Sequence, residues 1–196
     1  MTVVVVPIVE GEGEVAAVPI LLRRLCAWLT PENQVEVSKP IRVRRDRFLN
    51  REGEFSRTLL LAADKARAEG WVLVLLDADD DCPKELGASI LERARNIASH
   101  RRISVVLAKR EFEAWFIAAA DSLRGRRGLD DGLTSPPDPE AMRGAKEWLD
   151  KRMSGKRYRE VMDQPALASQ FDLQQARDAS RSFRKLCKEF AGAVRT

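Results

Sequence analysis

Two acidic stretches have residue types and spacing that could do chemistry. In Asp77-Ala78-Asp79-Asp80-Asp81, four acids fall within five positions, directly after the apolar run 71–76. In Glu10-Gly11-Glu12-Gly13-Glu14, three acids alternate with glycines after the apolar run 3–9. Asp77 and Asp79 are two apart, so in extended chain both point the same way. Carboxylates on one side repel unless a positive charge lies between them, and a hard divalent cation such as Mg²⁺ supplies it through oxygen ligands. A turn that brings Glu10 and Glu14 together suits a cation in the same way. It does not suit phosphate, because it lacks the Lys and Ser/Thr of a P-loop and carries three repelling carboxylates. The bland alternative for both stretches is acids placed at the positive start of a helix.

The elements around these acids are legible. A continuous apolar run bounded by breaks reads as a strand buried on both faces, as in a parallel sheet. Acids that follow it lie past the strand's carboxyl end, where open α/β sheets build their sites. Runs 3–9, 71–76 and 103–108 read as strands of this kind, and Pro7 pushes the first toward an edge or a bulge. Residues 35–37 and 41–43 read as one further strand broken around Pro40. Helical spacing predicts helices over 15–29, 55–69, 83–99 and 114–123, with a basic loop at 44–51. Gly70 suits the position just past a helix end, and Gly11 and Gly13 suit a turn with unusual dihedrals.

The chain thus reads strand-helix four times over residues 1–124, an α/β pattern with a four-stranded, mainly parallel sheet flanked by helices. Between 125 and 139 the composition turns to Gly and Pro. Beyond this hinge lies a helical extension, 125–196, expected to pack on the first domain. Its helices are predicted over 139–153 and 173–193, the latter opened by an Asp172/Gln175 capping box.

The chain has 196 residues and a formal net charge of +4. No apolar run approaches the ~20 residues of a membrane span, so no membrane role is expected. Three scattered cysteines point to a reducing, cytoplasmic setting without a zinc site. One histidine, His100, argues against a histidine-based centre. Bases cluster at 42–51, 101–102, 109–110, 124–127 and 151–159. Acidic pockets in a basic surround suit a metal site acting on a polyanion, although each basic cluster alone reads as a solvated helix face.

The ordered pair of motifs, Glu10-Gly11-Glu12-Gly13-Glu14 and then Asp77-Ala78-Asp79, in this frame resembles a Toprim domain. That Rossmann-like fold is shared by topoisomerases, bacterial primases, small maturation ribonucleases and the overcoming-lysogenization-defect (OLD) nucleases. Within it, the chain most resembles the family called domain of unknown function 4276. The further matches are Glu111-Phe112-Glu113-Ala114-Trp115-Phe116, Tyr158, Asp163-Gln164-Pro165 and Ser182-Phe183. The resemblance implies a Mg²⁺ or Mn²⁺ site with Glu10, Asp77 and Asp79 as core ligands. Glu14 would help to hold a second metal, Asp81 would assist by position, and Glu113 is carried by the family pattern. Lys109 is the expected strand-end cation for catalysis. Arg44, Arg45, Arg110, Lys156 and Arg157 are the expected nucleic-acid contacts. Trp115 and Phe116 are expected in the core.

Two cations side by side can activate water and stabilise the leaving oxygen of a phosphodiester, so the expected activity is metal-dependent nucleic-acid hydrolysis. Topoisomerases need a tyrosine nucleophile in a separate domain, and the one tyrosine here is Tyr158. The sequence carries no ATP-binding motif, whereas OLD-type nucleases carry an ATPase. Resemblance therefore implies a partner ATPase chain, as in an anti-phage defence pair, with a homodimer also open. The competing expectation is a non-catalytic binding or regulatory subunit of such a complex, favoured if Arg or Lys side chains block the acids. A phosphotransfer domain ranks lower, because the first strand ends in Glu rather than Asp.

Overall fold

The computed structural model describes residues 2–195. In chain order, strand β1 (Thr2–Val9) leads to helix α1 (Glu12–Leu29), then β2 (Gln34–Val37) and β3 (Ile41–Arg42). Helices α2 (Arg45–Asn50) and α3 (Glu52–Ala66) precede β4 (Trp71–Asp77), α4 (Pro83–Ile97) and β5 (Arg102–Ala108). The rest is helical: α5 (Ala114–Ala118), α6 (Ala145–Asp150), α7 (Glu160–Ala168), α8 (Leu173–Ala179) and α9 (Arg181–Val194). The strands form one parallel sheet in the order β2-β1-β4-β5, with β3 also paired to β1. This is a Rossmann-like α/β fold with a C-terminal set of helices.

Alternation along the buried strands divides the core into two layers. Val5, Val9, Leu73 and Leu75 join α1 and the C-terminal helices, including Phe183 and Phe190, in one cluster. Val6, Ile8, Val72, Val74 and Leu76 join Phe55 and Leu59 of α3 and Ile90 of α4 in the other. Trp115 and Phe116 are buried in the first cluster, as expected. No helix among the described residues is long and apolar enough to cross a membrane.

Pro7 does not push its strand to an edge; β1 is central. Val5 O accepts from Ser38 N–H and Val9 O from Val43 N–H, so odd residues of β1 aim their polar groups at the β2/β3 side. Pro7 therefore turns its missing N–H toward the break between β2 and β3. The defect is absorbed by the neighbouring strand, which is interrupted at Pro40.

Four expected elements differ. The basic stretch 44–51 is not a loop but carries α2. The apolar helix at 114–123 shortens to α5 followed by a 3-10 turn, Ala120–Leu123. The helix expected at 139–153 shortens to α6 and the one expected at 173–193 splits into α8 and α9, and the two departures are tied together. Glu140 is buried and accepts from Ser180 Oγ (2.7 Å), Arg181 N–H (3.1 Å) and Ser182 N–H (2.8 Å). Ser180 is extended and accepts from Phe183 N–H, capping α9 and ending α8. Gly144, in the left-handed region at φ 69°, delays α6 to Ala145. Half of the expected capping box forms: Asp172 accepts from Gln175 N–H at 2.8 Å, while Asp172 N–H donates to Ser122 Oγ rather than to Gln175.

Gly70 has another task than ending a helix, since α3 stops at Ala66. A Cβ at Gly70 would lie 1.8 Å from Ala66 O and 2.7 Å from Val4 O, so the turn into β4 closes only over glycine. Gly70→Ala is expected to cost about 1–3 kcal/mol through forced backbone displacement. Gly53→Ala, in α3 with open space around the position, is expected to gain about 0.4–1 kcal/mol. Urea unfolding of the two variants checks both signs.

Candidate metal centre

The carboxyl ends of β1 and β4 lie side by side, because Val5–Ile8 pair in register with 71–74. β5 follows in register with β4, Asp77 opposite Ala108. This places Glu10, Asp77 and the turn 109–113 at one end of the sheet. Glu14 joins them from the first turn of α1. Its side chain is buried, and Oε2 accepts from Glu10 N–H at 3.2 Å. Asp77 Oδ1 accepts from Phe112 N–H at 2.7 Å, tying the β4 terminus to the turn after β5. Glu113 is fully buried, and its Oε1 accepts from Tyr158 Oη (2.9 Å) and Gln164 Nε2 (3.1 Å).

These four carboxylates feel one another. Burial, then the charges of Glu14 and Glu113, hold Asp77 well above the ordinary carboxylate range. Burial pushes Glu14 up to about 7, partly offset by backbone N–H groups and reinforced by Glu113 and Glu10. Burial likewise pushes Glu113 up to about 7 despite the nearby Lys146. Burial and the charge of Asp79 raise Glu10. Lys146 of α6, which binds Glu160 at 3.0 Å, faces Glu10, Asp77 and Glu113, and Arg45 also acts on Glu10. Against the cost of burial, Lys146 is held above its ordinary value by Glu113, Glu160 and Asp77.

Several oxygens here have no partner. Glu10 Oε2, Glu113 Oε2 and Gln164 Oε1 are buried without a hydrogen-bond donor. An all-oxygen, acid-rich set with unused lone pairs fits a hard divalent cation such as Mg²⁺ or Mn²⁺. Among the described residues, no three acidic, histidine or cysteine side chains form a ready-made cage. Asp77 Oδ1 and Glu14 Oε2 are each engaged by a backbone N–H.

The remaining expected residues are dispersed. Asp79 leaves the extended conformation at φ 48°, so it does not parallel Asp77. It is exposed and lies 3.5 Å from Arg45, while staying close enough to raise Glu10. Asp81 is drawn to the same Arg45 and is not brought into the carboxylate group. Arg45 is thus committed to the acidic turn, and Arg110 is committed to Asp80 at 2.7 Å. Lys156 binds the buried Asp163 at 2.7 Å, together with Arg127 at 2.8 Å. Arg44 and Arg157 are exposed. Lys109 faces a cavity between α4 and α9. Glu111 accepts from Ala145 N–H at the start of α6, a helix-end role.

A family model described as domain of unknown function (DUF4276) matches residues 9–191. The chain belongs to this family. No curated protein and no solved structure matches it. The family match runs from the end of β1 into α9, so every residue of the carboxylate group and its supports lies inside it.

Sequence reasoning missed Lys146, which no motif singled out. Tyr158 and Gln164 stood in the family pattern without a role; the structure gives them one, holding Glu113. Gly13 also gains a reason. Its dihedrals are not unusual, but a Cβ there would lie 2.4 Å from Gln164 Oε1 and 2.6 Å from Glu160 O. Glycine lets α7 approach α1 and deliver Gln164.

Glu14 is pressed by burial and by two neighbouring carboxylates, Glu113 and Glu10. Glu14→Gln is therefore expected to raise the melting temperature in EDTA by a few degrees, about 1 kcal/mol for each unit of relieved shift. It is also expected to shrink the stabilisation that added Mn²⁺ gives the wild type. Differential scanning fluorimetry with EDTA and with Mn²⁺ reads both.

Proposed function

We propose that the chain is a divalent-metal-dependent phosphodiesterase acting on nucleic acid, with the carboxylates at the strand ends as its centre. One observation carries this reading: two buried carboxylates, Glu14 of α1 and Glu113 of the turn after β5, meet the half-buried Glu10 and Asp77 at the strand ends, with one facing lysine and with oxygens left unsatisfied. Structural burial of unpaired acids is costly, and such clusters occur where a cation or a reaction needs them. The Toprim resemblance of the two acidic motifs supports the same reading and adds that an ATPase on a separate chain, as in phage defence, would drive or license it.

In this reading Glu10 and Asp77 would hold the cation, with Glu14 and Glu113 completing the oxygen set, and Asp79 would join them only on leaving Arg45. The bound metal would supply an activated water and charge neutralisation at the phosphate. The chain's own residues do the rest. Tyr158 and Gln164 fix Glu113, and Phe112 N–H fixes Asp77. Lys146 balances part of the negative charge and Lys109 stands at the β5 exit.

A second reading has an observation of its own. Arg45 holds Asp79 and Asp81, and Lys146 sits among the buried acids. Cations placed this way suit a binding or regulatory subunit that needs no metal. Thermal shift separates the readings: a catalytic centre is stabilised by Mn²⁺ in proportion to occupancy, and a lysine-balanced one is not.

The decisive assay is nicking of supercoiled plasmid and cleavage of RNA with Mn²⁺. Asp77→Asn and Glu10→Gln are expected to reduce cleavage to background while retaining the wild-type circular dichroism. Tyr158→Phe, which frees Glu113 on one side, is expected to lose about 10–100-fold, as removal of a support for a metal ligand does. Cleavage unchanged in Asp77→Asn would sink the hydrolase reading.

A further inference from the structure

A second feature lies at the open edge of the sheet, where β5 has no further strand beside it. Between α4 and α9 is a cavity of about 940 Å³. Its floor is apolar, from Gly87 and Leu91 of α4 and Leu107 of β5. Its rim carries Lys84, Lys109, Arg181 and Lys185. Among the described residues none of these four cations has an ion-pair partner, whereas Arg110 beside them is held by Asp80.

The acids at the rim do not answer these cations. Glu140 is buried and spends its oxygens on Ser180, Ser182 and the first N–H groups of α9. Asp138 Oδ1 accepts from Ala141 N–H. The start of α4 also opens here. Cys82 sits at its N-cap without a side-chain bond to the first turn, followed by Pro83. That helix end adds positive potential to the charge of the rim.

We propose that this cavity binds a nucleotide unit, with its phosphate held by Lys109, Arg181, Lys185 and Lys84 and its base laid on the Gly87–Leu91–Leu107 floor. The volume suits a ligand of that size. Unpaired lysines and arginines around a concave surface raise the local concentration of phosphate-bearing ligands. The inference rests on the reading of the neighbouring acids as a nucleic-acid-cleaving centre, and deepens it. The turn after β5 supplies Lys109 to the cavity and Glu113 to the carboxylates, which makes the two features neighbours. It also moves the contact surface. Of the cations expected from sequence, Arg45, Arg110 and Lys156 are held by acids of the chain, and Arg44 and Arg157 do not line the cavity.

The test measures binding in EDTA, where cleavage cannot occur, so its failure is distinct from failure of the catalytic reading. A fluorescein-labelled short oligothymidylate and oligouridylate are titrated by polarisation at several salt concentrations. Arg181→Ala/Lys185→Ala is expected to weaken binding at least 10-fold. It should also flatten the slope of log K against log salt by about 1.4, about 0.7 for each lost contact to a single strand. Arg44→Ala/Arg157→Ala is expected to change affinity less than 2-fold.

Adenosine monophosphate is the competitor. Displacement of the strand by it assigns the site to free nucleotides as well. Competition confined to oligonucleotides assigns it to strands.

A direct readout needs no mutation. Cys82 is the exposed cysteine at the cavity, while Cys26 and Cys187 are buried. Bound oligonucleotide is expected to slow alkylation of Cys82 by N-ethylmaleimide several-fold. Wild-type affinity in the Arg181/Lys185 variant, an equal loss in the Arg44/Arg157 variant, or an unprotected Cys82 overturns the proposal.

Discussion

Everything at the carboxyl end of the sheet answers one electrostatic constraint, the burial of Glu14, Asp77 and Glu113 beside Glu10. Removing an ionised carboxylate from water costs several kcal/mol even after relaxation, and each neighbouring charge adds to that. The chain meets part of the cost with single donors. Glu10 N–H serves Glu14, Phe112 N–H serves Asp77, and Tyr158 and Gln164 serve Glu113. Lys146 meets another part. What remains is seen in the raised proton affinities of all four acids and in the unsatisfied oxygens of Glu10 and Glu113. Stability has been given up at this point, which is the usual mark of a site rather than of a scaffold.

The acidic turn after β4 follows different physics. Asp79, Asp80 and Asp81 are exposed, and arginines from elsewhere come to them: Arg45 to Asp79 and Asp81, Arg110 and Arg143 to Asp80. Exposed pairs of this kind are each worth about 1 kcal/mol or less. The buried acids and the exposed ones are therefore not equivalent ligands, although they are adjacent in sequence. The first set is fixed by backbone donors, and the second is held by side chains that can let go.

The parallel sheet, its faces and the meeting of Glu10 with Asp77 could be read from the chain, because apolar runs and strand ends are local signals and the doubly wound pattern then fixes which ends are neighbours. The extended-chain pairing of Asp77 with Asp79 was not legible. That reading assumed extended chain through Asp79, where φ is positive instead, and Asp carries no compulsory sign of that conformation. Lys146 was equally silent, being one base among many until α6 aims it at the acids. The helical half was the hardest to read. Residues 139–153 and 173–193 have helical spacing, yet Glu140 prefers the N–H groups of Arg181 and Ser182 to continuing its own helix. A contact between residues some forty apart in the chain overrides local periodicity, and no window of sequence shows it.

That same long-range contact explains why the helices after residue 124 are part of the site rather than an addition to it. Ser182, held by Glu140, accepts from Trp115 Nε1 at 2.8 Å and from Lys109 N–H at 3.2 Å. These bonds bracket Glu113 from both sides in sequence, fixing the start of the turn and the helix that follows. From above, Gln164 and Tyr158 close on its carboxylate, and Gly13 leaves the room for α7 to bring them. A Rossmann-like sheet alone would present Glu10 and Asp77 but leave Glu113 unheld and the acids without Lys146. The sheet supplies the negative charges, and the helical half decides where one of them points and how much of the total is balanced.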